Sequence, residues 1–544
     1  MGTPILLNKD SQYINKDSQY IRPIETIIRL ELSSFETIIR LELSSFSEDI
    51  IQNRLVQRPG KEAKVKILFV INELGFIDPL AIALLSGVAR DLGHERYLCV
   101  LRQQDVSKCI KDTKPDLIAY SINSCDATEV FRIHQQIVKS TGIFSIMGGA
   151  HPTLYPESLV ESGTDAYCIG EGEEAFADVL CSLSAGKSID NIPNIHTATR
   201  QNQPRRLALL STLPMPDRDL ALSNKFLSDF PRKMFLTSRG CAYSCAYCFN
   251  SALRKIYQDK GKWIRRFSVC RVIHEIKDVR AKHKLEFVKF DDDNFAMQAD
   301  DWLEEFAERY TIEIGIPFNC LLRLDNVSDK LLRLLKKAGC YSITTSVDSA
   351  NQRIREEILN RSSTINKDLI IAMRQINSYH INLFVNYITA IPTATEKDEL
   401  DTIRLSKLGK VTYSNYTTLV PFQGTRIWQY CRDKGFHNDT TNPRSLMRPT
   451  VLQGFSKQQR RVQRNVLLLG AYNYIIPKKL LNFFIKLLQH LPTNITFIVP
   501  YTILKSWIVG TKIYHNHCSL TQNIKITVKA TQSDIYQVDS YDHN

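Results

Sequence analysis

The sequence lacks a hydrophobic run long enough to cross a membrane. Its longest uncharged stretch near the C-terminus, LLQHLPTNITFIVPYTIL, is interrupted by Gln489, His490, Pro492, Asn494 and Pro500. A spanning helix needs about 20 predominantly apolar residues, so we expect none. The lysines beside LLNFFIKLL are compatible with a helix that lies on a membrane surface. A packed amphipathic helix is the commoner outcome for such a pattern.

The sequence also lacks the marks of an exported or nucleic-acid-binding protein. No basic region followed by an apolar core opens the chain, so we expect a cytoplasmic protein. The thirteen cysteines are odd in number and scattered, which indicates reduced thiols rather than a disulfide framework. The net charge of +13 predicts an acidic partner. Because no RNA- or DNA-binding signature accompanies it, we expect an anionic surface or a phosphorylated ligand, not nucleic acid.

The first 63 residues contain two perfect tandem duplications but no candidate site. NKDSQYI occurs at 8–14 and 15–21, and ETIIRLELSSF occurs at 25–35 and 36–46. A solenoid stacks several diverged repeats, whereas these have only two copies each. We therefore treat 1–63 as a separate N-terminal segment of a chain whose 544 residues predict three or four domains.

Residues 64–190 alternate short apolar runs with segments of helical period. This alternation predicts a parallel sheet covered by helices on both faces, and five units suit a flavodoxin-like α/β domain. Ligands of such domains bind at the carboxyl ends of the strands. Gly148 and Gly149 would let the backbone approach a bulky ligand closely. Glu171 and Glu173 either face that ligand or cap the following helix. The polar and small residues predicted at these strand ends are Asn72, Ser124, Gly148, Gly149, His151 and Glu171.

A second alternating series occupies residues 233–430, after a connector at 191–232. Six strand–helix units are too few to close an eight-stranded barrel, so they predict an open, partial TIM-like (β/α)6 barrel. Beyond about residue 430 the alternation fades, and we expect a basic, mostly helical C-terminal region at 431–544.

Three cysteines follow the first strand of this second series, in SRGCAYSCAYCFN. Cys241, Cys245 and Cys248 therefore lie on a loop at the carboxyl end of a strand, where barrel enzymes place their chemistry. A structural zinc site needs a fourth, distant ligand. An iron–sulfur cluster usually takes one thiolate for each iron, so three thiolates would leave one iron of a four-iron cluster for another ligand.

The CxxxCxxC spacing, with Tyr247 directly before the third cysteine, resembles the signature of radical S-adenosylmethionine (SAM) enzymes. The resemblance implies that the three cysteines hold a [4Fe–4S] cluster whose open iron binds SAM, with Tyr247 near the adenine. FDDDNF (290–295) is similar to the family's acidic motif, which implicates Asp292 and Asp293, although a solvated loop or helix cap explains them equally. Asp348 and Ser349 stand where the family usually has Glu and Ser of Gly-x-Glu-Ser.

The first domain resembles the cobalamin-binding half of one branch of that family, so the resemblance covers residues 64–430. It implies that Asn72, Ser124, Gly148, Gly149, His151 and Glu171 face cobalamin. The loop NELGFIDP lacks the histidine that ligates cobalt in methionine-synthase-type domains. His151 is a substitute candidate, but a structural imidazole is the commoner outcome.

The resemblance implies a C-methyltransferase that acts on an unactivated carbon, or on a phosphinate phosphorus, through a radical made from SAM. A non-methylating rearrangement or oxidative cyclisation is the alternative within the same superfamily. A cobalamin-binding protein with a decayed radical site is a third hypothesis, motivated by Asp348 and by replaced glycines in ITAIPTATEKDE. The expected partners are a small-molecule or lipid-like substrate and a reductant such as flavodoxin or ferredoxin.

Overall fold

The computed structural model describes residues 63–74, 78–361, 364–437, 449–492 and 495–515. The N-terminal duplications lie outside the described residues. Within 64–181 and 189–515 these residues form one compact unit. Two six-stranded sheets organise this unit, each with helices on its faces. No described helix is both long enough and apolar enough to span a bilayer.

The first sheet has the strand order β2-β1-β3-β4-β5-β6. Its first five strands are parallel, and β6 pairs antiparallel with β5 at the edge. Most of these parallel strands are buried on both faces, so their runs read as continuously apolar, whereas β2 at the edge is only partly buried and carries Glu95 and Arg96. The order is that of a flavodoxin-like sheet, as predicted. The strands are β1 (Lys66–Ile71), β2 (Glu95–Val100), β3 (Leu117–Ser121), β4 (Phe144–Gly148), β5 (Ala166–Cys168) and β6 (Ile195–Thr197).

The second sheet contains six parallel strands that follow chain order, β7-β10-β11-β12-β13-β14. This is the open, partial barrel that six strand–helix units predict. Between β7 and β10, the short strands β8 and β9 pair antiparallel with one another. The strands are β7 (Arg232–Phe235), β8 (Ser238–Arg239), β9 (Arg265–Arg266), β10 (Phe287–Phe290), β11 (Phe318–Leu321), β12 (Cys340–Asp348), β13 (Asn382–Thr389) and β14 (Tyr413–Thr418).

Helices connect the strands, and several begin where the sequence supplies a capping side chain. Asp300 and Ser328 accept backbone N–H bonds at the first turns of their helices, and Thr395 forms a capping box with Asp398. The helices are α1 (Leu80–Asp91), α2 (Val106–Thr113), α3 (Ala127–Ile133), α4 (Ala150–Leu154), α5 (Leu159–Ser162), α6 (Glu173–Ser184), α7 (Arg218–Leu222), α8 (Lys225–Asp229), α9 (Phe249–Ile256), α10 (Val269–Lys282), α11 (Asp301–Glu313), α12 (Asp329–Lys337), α13 (Asn366–Ser378), α14 (Glu396–Leu408) and α15 (Arg426–Asp433).

The connector at 191–232 has more structure than its sequence suggested, because it contains β6 and helices α7 and α8. Polar groups of the connector also form buried hydrogen bonds with both domains. Asp217 accepts hydrogen bonds from Ser86 and Arg96 of the first domain, at 2.6 and 3.0 Å. Arg218 donates to Glu275 and to the carbonyl of Met234 in the second. Charge-assisted bonds of this kind give the connector a fixed position.

Beyond the second sheet, the described C-terminal residues are mostly helical, as predicted. The helices here are α16 (Lys457–Leu469), α17 (Leu481–His490) and α18 (Ile498–Ile508). Helix α16 begins with a capping box between Ser456 and Gln459.

Candidate active site

One open cleft, with a volume of about 350 Å³, collects residues from both sheets. The first domain contributes apolar residues of α1 and the carboxyl ends of β3, β4 and β5. The second contributes the segment after β7, parts of α9 and β9, and acidic residues after β10. Because strands of a parallel sheet end at one edge, two such edges facing one cleft bring separate loops together.

The cysteine loop begins at the wall of this cleft, and Gly240 sets its course. Gly240 has a φ of 87°, and a Cβ there would lie 2.3 Å from the carbonyl oxygen of Trp263. Any other residue would clash as well as adopt a left-handed backbone. The Trp263 indole N–H donates to the carbonyl of Cys241 at 2.8 Å, which holds the start of the loop.

The three thiols of the loop are partly shielded from solvent. Cys245 is buried, and Cys241 and Cys248 are half-buried. Burial is the main cause that raises the pKa of Cys248 to about 11 and raises that of Cys241, and the neighbouring thiols raise both further. The thiols therefore lie close enough to interact electrostatically, and binding a metal would displace their protons.

Two arginines approach the sulfur of Cys245. Arg323 Nη1 and Arg361 Nη1 each lie 3.7 Å from Cys245 Sγ. Arg323 also stacks on the ring of Tyr243 with its guanidinium 3.7 Å from the ring centroid. Both guanidinium groups therefore lie within hydrogen-bond distance of this sulfur.

Asp348 and Tyr247 form a closed network with Arg361. The Tyr247 hydroxyl donates to Asp348 Oδ2 at 2.7 Å, and Arg361 Nε forms an ion pair with the same oxygen at 2.8 Å. Ser346 donates to the other carboxylate oxygen. Ser349 is buried and accepts the backbone N–H of Asn351, which stabilises the turn after β12. In this arrangement the Asp348 carboxylate positions Tyr247.

The two aspartates of the acidic motif after β10, Asp292 and Asp293, lie in different environments. Asp292 is fully buried, and its Oδ1 accepts from the Thr237 N–H at 2.9 Å, the Thr237 hydroxyl at 3.0 Å and the Ser238 hydroxyl at 2.6 Å. Its Oδ2 has no partner among the described residues, and burial raises the pKa of Asp292 to about 6. Asp293 instead lines the cleft, where Asn250 and the Gly240 backbone donate to its carboxylate.

The opposite wall of the cleft comes from the first domain and is rich in glycine. Gly148, Gly149 and Gly170 line it. Gly149 has a φ of 105°, and a Cβ there would lie 2.6 Å from the carbonyl oxygen of Ile122. A Cβ on Gly148 would make only ordinary contacts, with Cys168 at 3.6 Å and the carbonyl oxygen of Tyr120 at 3.9 Å. The backbone at position 149 therefore requires glycine, whereas the absence of a side chain at Gly148 leaves space on the cleft side.

Ion pairs between the two domains cross one end of the cleft. Arg265 donates to both oxygens of Glu171, the longer contact being 3.0 Å, and Arg239 pairs with Glu173 and lies 3.5 Å from Glu171. Arg239 directly precedes Gly240, so this network connects the edge of the first sheet to the start of the cysteine loop. Glu171 and Glu173 thus line the cleft and bind arginines, and Glu173 also lies in the first turn of α6, so the two roles considered for them, ligand contact and helix capping, stay predictions.

Two family models match the chain: the B12 binding domain over residues 68–180 and the radical SAM superfamily over residues 235–406. The uncharacterised methyltransferase PH0819 of Pyrococcus horikoshii is 26% identical over 367 residues, covering 65% of this chain and 78% of the relative. Cytidylyl-2-hydroxyethylphosphonate methyltransferase of Streptomyces wedmorensis is 23% identical over 408 residues, covering 65% and 73%. The solved structure of the cobalamin-dependent SAM radical enzyme OxsB matches with a TM-score of 0.59 at 15% identity, covering 90% of this chain and 85% of OxsB.

The chain belongs to the cobalamin-dependent radical SAM enzymes. Its cofactors are cobalamin, a [4Fe–4S] cluster and SAM. The predicted fold class, family and cofactors are thereby confirmed.

The residues of the enzyme fit these groups. Three thiols on one glycine-led loop suit a cluster, in which each thiolate binds its own iron. The glycine-lined wall suits close approach of a large, flat cofactor, because no side chain stands between that backbone and the cleft.

Three of the predicted cobalamin contacts do not line the cleft. Asn72 is buried and donates to Asp126 and Glu129, at 2.7 and 3.3 Å. Ser124 lies 3.2 Å from Nδ1 of His151, whose Nε2 lies 3.3 Å from the Ser158 hydroxyl. Burial lowers the pKa of His151 to about 4. With both ring nitrogens engaged, His151 has the environment of a structural imidazole, and its role as a cobalt ligand stays a prediction.

Sequence reasoning missed three polar residues of the enzyme's site. Nothing in the sequence pattern indicated that Arg323 and Arg361 both reach Cys245. Asn294, within FDDDNF, is buried, and neither its amide oxygen nor its amide nitrogen has a partner among the described residues. Its position between Asp293 and a buried phenylalanine was the only available signal.

Proposed function

We propose that this enzyme transfers a methyl group of SAM to an unactivated carbon, or a phosphinate phosphorus, of a small-molecule substrate. The observation that carries the proposal is the shared cleft: the glycine wall of the cobalamin domain and the Arg239–Gly240 start of the cysteine loop line one space. A methyl carrier and a radical source must reach the same substrate for such a transfer. Two curated relatives are named methyltransferases, which supports the proposal.

When bound, the cluster supplies the electron that cleaves SAM, and cobalamin supplies the methyl group. The chain's own residues bind and orient these groups and exclude water from the cleft. Cys241, Cys245 and Cys248 are the proposed cluster ligands, and Arg323 and Arg361 donate to the Cys245 sulfur. Tyr247, oriented by Asp348, and Asp293 are the proposed SAM contacts. Leu80 and Leu84 of α1 contribute an apolar part of the cleft that excludes water.

On the cobalamin side, we propose that Gly148 and Gly149 face the cofactor and that Glu171 contributes through its pairing with Arg265. The domain boundaries proposed from the sequence, 64–190 and 233–430, enclose the two matched family segments. A flavodoxin or ferredoxin is the proposed electron donor.

The proposal is tested with enzyme purified and reconstituted anaerobically with iron, sulfide and cobalamin. It is supplied with SAM labelled in its methyl group, a reductant and panels of candidate substrates. Methyl transfer should yield a labelled product together with 5′-deoxyadenosine, and both should depend on cobalamin. Labelled product that forms equally well without cobalamin would contradict the proposed mechanism.

The same experiment separates the alternatives. An altered but unlabelled product, formed with release of 5′-deoxyadenosine, would identify a rearrangement or oxidative cyclisation. The engagement of the Asp348 carboxylate by Tyr247 and Arg361 motivates the third hypothesis, a decayed radical site. No SAM cleavage by enzyme with an intact four-iron cluster would support decay, and any reductive cleavage would exclude it.

A further inference from the structure

The positive charge of this enzyme is concentrated in one C-terminal segment. Residues 440–533 contain thirteen lysines and arginines and no aspartate or glutamate. This equals the net charge of +13 for the whole chain, so the remaining residues are together neutral. A segment without a single anion has no internal ion pairs to offset its charge, and it attracts anionic surfaces.

Helix α17 within this segment is apolar on two sides, and only one of them is covered. Its buried side packs Leu481, Phe484, Ile485 and Leu488 into the protein. Its other side exposes Phe483 by 69% and Leu487 by 42%. The exposed Lys486 lies three residues after Phe483, on the same side of the helix, and the exposed Lys478 and Lys479 lie in the turn just before the helix.

Helix α18 repeats the pattern. Val499, Ile503 and Trp507, spaced four residues apart, are exposed by 45, 55 and 52%, while Ile498, Leu504 and Ile508 are buried. Four-residue spacing places the three exposed side chains in one row along the helix. A helix that is apolar all round is normally buried, so a row of this kind indicates a surface that binds something.

We propose that the α17–α18 segment, residues 478–492 and 495–512, binds the surface of an anionic lipid bilayer. Large aliphatic and aromatic side chains flanked by lysines are the composition of helices that lie in the membrane interface. Anionic headgroups attract the lysines, and Phe483, Leu487, Ile503 and Trp507 enter the acyl boundary. The binding is peripheral and independent of the chemistry in the cleft.

Charge and composition favour a lipid surface over the other occupants. A second copy of the chain would bring an equally cationic face against this one, and the two would repel. A nucleic acid would use the lysines, but it offers no apolar phase for exposed leucine, isoleucine and valine side chains. The two experiments below distinguish these partners.

The direct test is co-sedimentation of the full-length reconstituted enzyme with lipid vesicles. We expect binding to vesicles in which about a third of the phosphatidylcholine is replaced by phosphatidylserine, and at least about tenfold weaker binding to phosphatidylcholine alone. Trp507 fluorescence should shift to the blue on binding. Equal sedimentation with and without vesicles, or tighter binding to duplex DNA than to anionic vesicles, would overturn the proposal, as would concentration-dependent dimerisation through this face.

Matched variants separate the two contributions. The triple change K478E/K479E/K486E should abolish vesicle binding, whereas K108E/K262E/K367E, with the same change of charge at other exposed lysines, should retain it. Phe483→Ser should weaken binding several-fold, and Ile312→Ser, at a side chain 78% exposed elsewhere, should not. Unchanged cluster content would show that each variant is folded. Equal losses from both triple variants would contradict a localised surface.

Discussion

The two sheets of this enzyme end at the same cleft but line it in different ways. The edge of the cobalamin domain presents glycines and apolar side chains, and its two carboxylates, Glu171 and Glu173, are used in ion pairs. The edge of the radical SAM domain presents the arginines Arg239 and Arg265 and the acidic residues Asp291 and Asp293, and its cysteine loop begins at this wall. A wall that binds a cofactor mainly through apolar contact needs few polar side chains. A wall that holds a cluster and a charged cosubstrate needs polar groups directed at them.

The two edges also differ in how they accommodate a left-handed backbone. At the cleft wall of the cobalamin domain the positive φ values fall on Gly149 and Gly170, where a Cβ would clash, whereas Lys114 and Asn194, with φ of 47 and 73°, do not line that wall. In the radical SAM domain they also fall on Asp348, Ala390 and Thr393, with φ of 69, 58 and 68°. Non-glycine residues at such φ carry backbone strain, which is concentrated at functional sites. The cobalamin edge is therefore relaxed, and the radical edge stores strain.

The largest effect should come from removing a thiol at the radical edge alone. Cys241→Ala should eliminate the four-iron cluster, measured by iron and sulfide content and by electron paramagnetic resonance of the reduced enzyme. Cobalamin binding should remain, because the glycine wall is intact. Cys270→Ala, at an exposed cysteine of α10, is the control and should keep the cluster. A normal four-iron signal from the Cys241 variant would refute the ligand assignment.

The converse change blocks the cobalamin edge alone. Gly148→Val adds a side chain on the cleft side without requiring a left-handed φ, so cobalamin affinity should fall by at least about tenfold, as measured by spectroscopic titration. The cluster content should be unchanged. Gly510→Val, where a Cβ meets nothing within 4 Å, is the control. Undiminished cobalamin binding by the Gly148 variant would place the cofactor elsewhere.

Breaking an ion pair that crosses the cleft tests whether contact between the two edges stabilises the fold. Arg239→Met leaves the buried Glu173 carboxylate without its partner, so the free energy of unfolding should fall by about 3 kcal/mol in urea. Lys108→Met, which breaks the exposed pair with Asp112, should leave the free energy of unfolding nearly unchanged. Similar small losses from both variants would show that the cross-domain pair adds no stability.

Much of this architecture could be predicted because it depends on local pattern. The apolar runs that became β1–β5 and the six strands of the second sheet are periodic signals in the sequence, and the cysteine triplet is a contiguous motif. Gly149 and Gly240 were visible as glycines at strand ends. Each of these features is determined by a few neighbouring residues.

The side-chain pairings of the site could not be predicted, since they depend on three-dimensional proximity. Arg361 reaches Cys245 across 116 residues of sequence, and Arg265 reaches Glu171 across 94. Asn72 ends a strand as predicted, yet its amide turns towards Asp126 and away from the cleft. A residue's place at a strand end is therefore predictable, whereas the direction and partner of its side chain are not.

The smallest expected effect on stability tests whether the backbone of the radical SAM edge is strained at Thr393. Thr393 stands where the family's usual Leu-Pro-Gly-Glu-Thr has glycine, and its exposed, β-branched side chain is held at a φ of 68°. Thr393→Gly should therefore raise the free energy of unfolding by about 1 kcal/mol, because glycine adopts this backbone without strain. Thr395→Ala, two residues later, removes the capping box of α14 and should lower it by about 1 kcal/mol. Destabilisation by both changes, measured in the same urea titration, would mean that the Arg353 hydrogen bond to Thr393 at 3.1 Å outweighs the strain and that the radical edge is not strained there.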